Sequence, residues 1–181
     1  MPELIIESAV HGTHTVLYDE EDREIIEGYK WQIRKKSQTY YVCAKVYGPD
    51  KDEWYISPTS GKRQRKRKTI RMHRLITKCP KGLQVDHINH NGLDNRRKNL
   101  RICNNVQNQW NRRKGNNNNS GFKGVSIESR RKTKKYRVQI GYMGKTRHLG
   151  YFESPVEAAK IYDAKAKELF GEFANLNFPD E

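Results

Sequence analysis

From residue 125 onward, apolar side chains recur at every second position and then switch to helical spacing, and this constrains the fold more than any other stretch. Val125 and Ile127 alternate with Ser126 and Glu128, and Tyr136, Val138 and Ile140 alternate with Lys135, Arg137 and Gln139. A Gly-rich turn, Gly141 to Gly144, leads into a third run from Lys145 to Leu149. Period two puts one class of side chain on each face of a strand. The next segment starts with Ser154 as N-cap, Pro155 at the first helical position and Glu157 as the N3 partner of a capping box. Val156, Ala159, Tyr162, Ala166, Leu169 and Phe170 form one stripe, and Gly171 ends the helix. The pattern predicts three antiparallel strands with one face covered by the helix. The other face carries Lys135, Arg137, Gln139, Thr146 and His148 and is left bare. Such a basic sheet face suits the DNA major groove, which admits strands as well as helices.

Charge sharpens the expectation. The 181 residues carry a net +15, and residues 61–114 hold 17 Lys and Arg against Asp86 and Asp94 alone, which is the same +15. Residues 1–60 are net −4 and residues 115–181 net +4. One concentrated basic segment supplies phosphate affinity through counterion release, so a polyanion is the expected partner. A lone carboxylate inside that basic field suggests a metal ligand. No apolar run reaches ten residues, which argues against a membrane span or a secretory core. Cys43, Cys79 and Cys103, without a C-x-x-C, argue against a disulfide framework or zinc ribbon and for a reducing, cytoplasmic setting. Cys79 and Cys103 are expected to fill core space.

Upstream, Ile33 to Tyr47 and Trp54 to Ile56 read as strands broken by turns at Gly48-Pro49 and Ser57-Pro58. Asp19 to Gly28 reads as a short acidic helix with Asp19 as N-cap. The run from Gly61 to Lys68 is too charged to pack and reads as a hairpin tip or loop. The Asn-rich stretch from Lys114 to Gly121 reads as a linker and the main boundary.

The segment from Leu83 to Asn111 carries the chemistry. It predicts a strand from Gln84 to Ile88, a polar loop, a strand from Leu100 to Cys103 and a helix from about Asn104. Asp86 and His87 are neighbours on a strand and point to opposite faces. Both can serve one phosphate if a metal lies at the strand end and the imidazole reaches the phosphate from the other side.

This segment resembles the HNH (ββα-metal) nucleases, in the variant whose last ligand is Asn. The resemblance rests on Asp86-His87, Asn99, Asn108 and the flanking Leu93-Asp-Asn-Arg96, Asn99-Leu-Arg101 and Gln107-Asn108. It implies His87 as general base, Asp86 and Asn108 as ligands of one Mg²⁺ (or another divalent cation such as Mn²⁺), and Asn99 as a loop brace. A neutral imidazole can take a proton from water near neutral pH, and a hard cation suits carboxylate and amide oxygens. His73, where the family often has His-Arg, is expected to pack or bind phosphate beside the site without a catalytic role. His90 reads as a loop histidine. The surrounding cations Arg74, Arg96, Arg97, Lys98, Arg101, Arg112 and Arg113 are expected to contact DNA.

The C-terminal part, from Ser120-Gly-Phe-Lys-Gly-Val125 through Tyr136-Arg-Val-Gln-Ile140 and Leu149-Gly-Tyr-Phe152 to Leu176-Asn-Phe-Pro179, resembles an AP2 domain. That resemblance implies DNA contact through the sheet, although Ser126, Glu128 and His148 stand at positions where the plant factors use other residues. Arg130, Arg131, Lys132 and Lys134 add charge nearby. Residues 1–70, with Tyr29-Lys-Trp31 and Tyr40-Tyr-Val42, resemble the N-terminal segment of phage-type homing endonucleases. The expected architecture is α+β: an accessory β-rich segment over 1–70, a nuclease core over 71–114, a linker over 115–120 and the AP2-like domain over 121–179. The expected activity is homing-type cleavage of double-stranded DNA, by a monomer in the cytoplasm of a bacterial host cell. The alternative is a non-catalytic AP2-type regulator carrying a decayed nuclease.

Overall fold

In the computed structural model, which describes residues 2–36, 38–47, 54–128 and 135–179, the chain falls into two units, 1–104 and 105–181. The first opens with a hairpin of β1 (Glu3–Ser8) and β2 (Gly12–Leu17). A 3₁₀ turn over Glu20–Asp22 and a short helix, α1 (Arg23–Glu27), follow in place of one acidic helix. Asp19 makes no capping bond there, because its Oδ2 instead accepts from the backbone N–H of Arg97 at 2.7 Å. Strands β3 (Trp31–Lys36) and β4 (Thr39–Tyr47) pair antiparallel, and a short pair of β5 (Trp54–Ile56) and β6 (Arg63–Arg65) comes next. Strand β7 (Arg67–Arg71) then joins β4 on its other side.

The basic run is therefore strand through most of its length, not a loop tip. Edge pairing satisfies its backbone while all its Lys and Arg side chains but the half-buried Arg65 stay in solvent, so high charge does not prevent a strand. The expected turn at Gly48-Pro49 lies outside the described residues.

Helix α2 (Met72–Ile76) leads to the predicted strand pair, β8 (Gln84–His87) with β9 (Leu100–Cys103). Ile6, Val16, Tyr18, Ile26, Ile33 and Val42 from the first 70 residues share one core with Met72, Ile76 and Leu100. Leu17 ties that core to the loop between β8 and β9: its N–H donates to Leu93 O at 2.9 Å and its carbonyl accepts from Asn95 N at 2.8 Å. Residues from the first 70 positions thus form one wall of the unit that carries β8 and β9.

The second unit begins with helix α3 (Asn105–Trp110), whose Trp110 ring stacks on Phe170 at 4.7 Å between centroids. The unit division accordingly lies upstream of the Asn-rich stretch, and that stretch is tied down: Asn118 Nδ2 donates to Phe122 O at 2.7 Å. Strands β10 (Val125–Glu128), β11 (Lys135–Tyr142) and β12 (Lys145–Phe152) form one antiparallel sheet, and α4 (Pro155–Phe170) covers it. Ser154 Oγ accepts from Glu157 N at 3.4 Å, as its capping signature predicts. Val156, expected in the buried stripe, is 44% exposed, whereas Ala158 and Asp163 are buried. The third strand also runs past Leu149 to Phe152, because an irregularity pairs Val138 with Gly150 but Gln139 with His148. The extra residue reverses the face on which later side chains fall, bringing Phe152 into the core.

Candidate active site

Two strand ends and one helix build the site. β8 delivers Asp86 and His87, and the alternation of a strand sends them to opposite sides. On one side, Asp86 is buried and paired with Arg101 from β9. The guanidinium Nε and Nη2 both donate to Oδ2, at 2.9 and 2.8 Å. On the other side, His87 is buried against two aromatic rings. The His73 ring, from α2, meets it edge-on at 5.1 Å between centroids, and the Tyr41 ring, from β4, lies 5.8 Å away.

Burial keeps both imidazoles neutral. Loss of solvent pushes the His87 pKa down, with the Asn95 side chain and the carboxylates of Asp86 and Asp94 opposing the shift. Loss of solvent also pushes His73 down, to about 3, helped by His87, Arg71 and Arg74. A neutral imidazole has a lone pair to offer, which is the form a general base needs. Burial and the neighbouring Asp86 push the Tyr41 phenol up, so it stays protonated.

The loop from Ile88 to Asn99 holds its shape through its own amides. Asn99 Nδ2 donates to Asp94 O at 2.8 Å and Asn99 Oδ1 accepts from Asn89 N at 3.0 Å. Asp94, one of the two acids of the basic segment, is a structural anchor. It accepts from Arg96 Nε and Nη2 at 2.7 and 2.6 Å and from Asn89 Nδ2 at 2.8 Å. Gly92 sits where the loop crosses β4, and a Cβ there would lie 2.2 Å from Tyr40 O. Only hydrogen fits.

Several cations expected on DNA have protein partners. Arg74 donates to the carbonyls of Cys79, Pro80 and Leu83. Arg96 and Arg101 hold Asp94 and Asp86, and Arg97 bridges Asp22 at 2.6 Å and Glu21 at 2.6 Å. Lys98, Arg112 and Arg113 are exposed. His90 is half-buried in a left-handed conformation, with φ 62°. Cys103 is buried as expected, and Cys79 is only partly so. Asn108 lies on α3, in the second unit.

In that unit, cross-strand register puts Lys135, Arg137, Gln139, Thr146 and His148 on one face, opposite α4. His148 Nδ1 accepts from Gly150 N at 3.0 Å and its ring packs edge-on to Tyr151. The nearby Arg130, Arg131, Lys132 and Lys134 lie outside the described residues.

On the reverse side of β8 from His87, where Arg101 holds Oδ2 of Asp86, the donor chemistry suits a hard divalent ion. Asp86 offers carboxylate oxygen, while burial and Asp86 push the Cys103 thiol up to about 11, so no thiolate stands ready for a soft metal. The other acidic group, Asp19 with Glu21 and Asp22, is engaged by Arg97.

Comparison with known proteins bears on the same stretch. A profile described as HNH endonuclease matches residues 73–110, which contain Asp86, His87, Asn99 and Asn108. An uncharacterized HNH endonuclease, L560, of Acanthamoeba polyphaga mimivirus is 32% identical over 133 residues, covering 70% of this chain and 67% of that protein. The chain belongs to the HNH endonuclease family. Protein 3.8 of Escherichia phage T7 is also similar, 34% identical over 97 residues, or 54% of this chain and 78% of that one. No solved structure matches. As an HNH endonuclease, the chain hydrolyses phosphodiester bonds of DNA, and nucleases of this family typically use a divalent metal.

Sequence reasoning missed Tyr41, whereas His73 packs beside His87 as its position suggested. Tyr41 comes from 46 positions away, and nothing in its local pattern marks it; His73 lies at the edge of the family match.

Proposed function

We propose that the chain is a homing-type endonuclease in which His87 is the general base, Asp86 and Asn108 are the metal ligands, and the AP2-like sheet of residues 121–179 targets double-stranded DNA. The observation that carries this reading is a buried neutral imidazole at a strand end, with the Asp86 carboxylate on the reverse side of the same strand. For Asn108, support comes from the family match through residue 110. On this reading the nuclease core spans 71–114.

His87 accepts the proton of the attacking water. His73 and Tyr41 pack the ring so that it presents one edge, and they exclude bulk water around it. Asn99 keeps the loop beside it in register. Arg101 holds the Asp86 carboxylate in place. A bound Mg²⁺ or Mn²⁺ would neutralise charge on the phosphoryl oxygens and assist the departing 3′ oxygen. On the AP2-like sheet, Arg137 and Gln139 are the side chains best suited to base edges, and Lys135 to phosphate.

The proposed setting is the cytoplasm of a bacterial host cell, and both relatives are viral proteins. Among the described residues no helix is long and apolar enough to cross a membrane. One His87 site activates water against one strand at a time, so a monomer is expected to nick.

The deciding experiment incubates the full chain with supercoiled plasmid and Mg²⁺, with and without chelator. His87→Ala should lower cleavage by about 10²-fold or more while DNA affinity holds. Cleavage by His87→Ala within a few-fold of the parent would refute the assignment.

A further inference from the structure

The acidic balance of residues 1–60 conceals a separation of charge that the sheet register makes visible. In the β3–β4–β7 sheet, paired residues point to the same face and successive residues to opposite faces. Trp31, Ile33, Val42 and Ala44 go to the core face. The other face carries Tyr41 paired with Arg34, Cys43 with Gln32 and Arg71, Lys45 with Thr69, and Tyr47 with Arg67. Tyr41 lies against His73 and His87, so this face starts at the active site. Cys43 is buried, and from Lys45 and Arg71 outward the face is open.

Its charge is of one sign. β3, β4 and β7 contain no Asp or Glu. Arg34, Lys45, Arg67 and Arg71 are all exposed, and among the described residues none of them is ion-paired. Acids of the same unit are engaged elsewhere: Glu20 and Glu27 with Arg23, Glu21 and Asp22 with Arg97, Asp94 with Arg96, and Asp86 with Arg101. Tyr47, 50% exposed, is flanked by the guanidiniums of Arg65 and Arg67, 4.7 and 5.2 Å from its ring centre, which holds those two cations at the far end of the strip.

We propose that this face is a DNA-binding surface in its own right, gripping the phosphates of the duplex that flanks the scissile bond, independently of the AP2-like sheet. The proposal rests on DNA being the substrate. Rows two residues apart are spaced about 6.8 Å, so Tyr41 to Tyr47 spans about 20 Å, or about six base-pair steps of 3.4 Å. A strip of cations without internal counter-ions, starting at the catalytic imidazole, suits a polyanion that must run past it. Binding of this kind is blind to sequence and sensitive to salt.

The test uses the full chain carrying Arg34→Gln, Lys45→Gln and Arg67→Gln together. Affinity for a fluorescent duplex of about 30 base pairs of arbitrary sequence is read by anisotropy from about 50 to about 300 mM salt, in chelator so that nothing is cut. Each phosphate contact contributes about 0.9 to the slope of log K against log salt, so the triple variant should be shallower than the parent by about 2 to 3. Arg23→Gln, which removes an exposed cation from the same unit off this face, should leave the slope within about 0.5 of the parent's. An unchanged slope in the triple variant would overturn the proposal, as would an equal drop per charge in Arg23→Gln. Tighter binding of an RNA duplex, with the slope change confined to RNA, would also overturn it. Because cleavage is never read, failure here leaves the roles of His87 and Asp86 standing, and failure of the His87→Ala test leaves this surface standing.

Discussion

His73 ties folding to pH in a way that can be worked out in advance. Its imidazole is 4% exposed, wedged between Tyr41 and His87, and burial holds its pKa at about 3 against 6.5 in an open chain. A group whose folded pKa is depressed gives its full stability above the unfolded pKa and loses it as pH falls towards the folded value. The window is therefore pH 6.5 down to about 3. At about pH 5 the unfolded chain has bound the proton and the folded chain has not. The gap of about 1.5 units at about 1.4 kcal/mol each removes about 2 kcal/mol from the first unit. His87, also depressed, pulls in the same direction. The diagnostic quantity is thus the difference between the parent and His73→Phe, which keeps a ring in place and removes the proton site. Urea unfolding followed by amide protection in Thr39–Tyr47 reads the first unit alone. Between about pH 7.5 and about pH 5 the parent should lose about 2 kcal/mol more than His73→Phe. Parallel losses in the two proteins would refute the buried, neutral assignment.

Four further outcomes follow from the same contacts. Because burial lowers the His87 pKa, the acid limb of a cleavage pH profile should fall below 6.5; a midpoint above 7 would refute the neutral base. Asn99→Ala removes two loop bonds at a buried position and should destabilise the first unit by about 2 kcal/mol in urea titration while lowering cleavage, and an unaltered stability would refute its bracing role. Gly124→Ala combines φ 77° with a Cβ 1.9 Å from the Tyr162 ring, so the second unit should lose about 3 kcal/mol or more by thermal unfolding, and a loss under about 1 would refute the packing. On supercoiled plasmid the wild-type chain should accumulate open circles before any linear form, whereas linear product without that lag would refute the monomeric nickase.

The strand pair was legible, β9 in full and β8 to within one residue, because its residues are chosen for chemistry and for pairing at once. Asp86-His87 needs a rigid strand to separate its two side chains, and Asn99 needs a loop of fixed length to reach back to Asn89 and Asp94. The α4 cap was legible because Ser154, Pro155 and Glu157 act within four residues. The fate of individual cations was not. Arg97 meets Asp22 from 75 positions away, and no local spacing announces that an arginine in a basic run will be taken by an acidic turn at the other end of the unit. The same holds for Tyr41, whose alternation marks a strand but not which of its faces meets the nuclease.

Charge density reports how strongly a segment attracts phosphate, yet the fold decides which cations are available to it. In this chain Arg96, Arg97 and Arg101, inside the motif, hold acids that would otherwise be buried or clustered without compensation. Arg34 and Lys45, in a segment whose net charge is negative, face solvent with no acid paired to them among the described residues. Removing Arg97 should therefore act mainly on stability, by leaving buried Asp22 without its counter-ion, and removing Lys45 mainly on the salt dependence of DNA affinity. The two measurements separate a cation that builds the site from one that presents it to DNA.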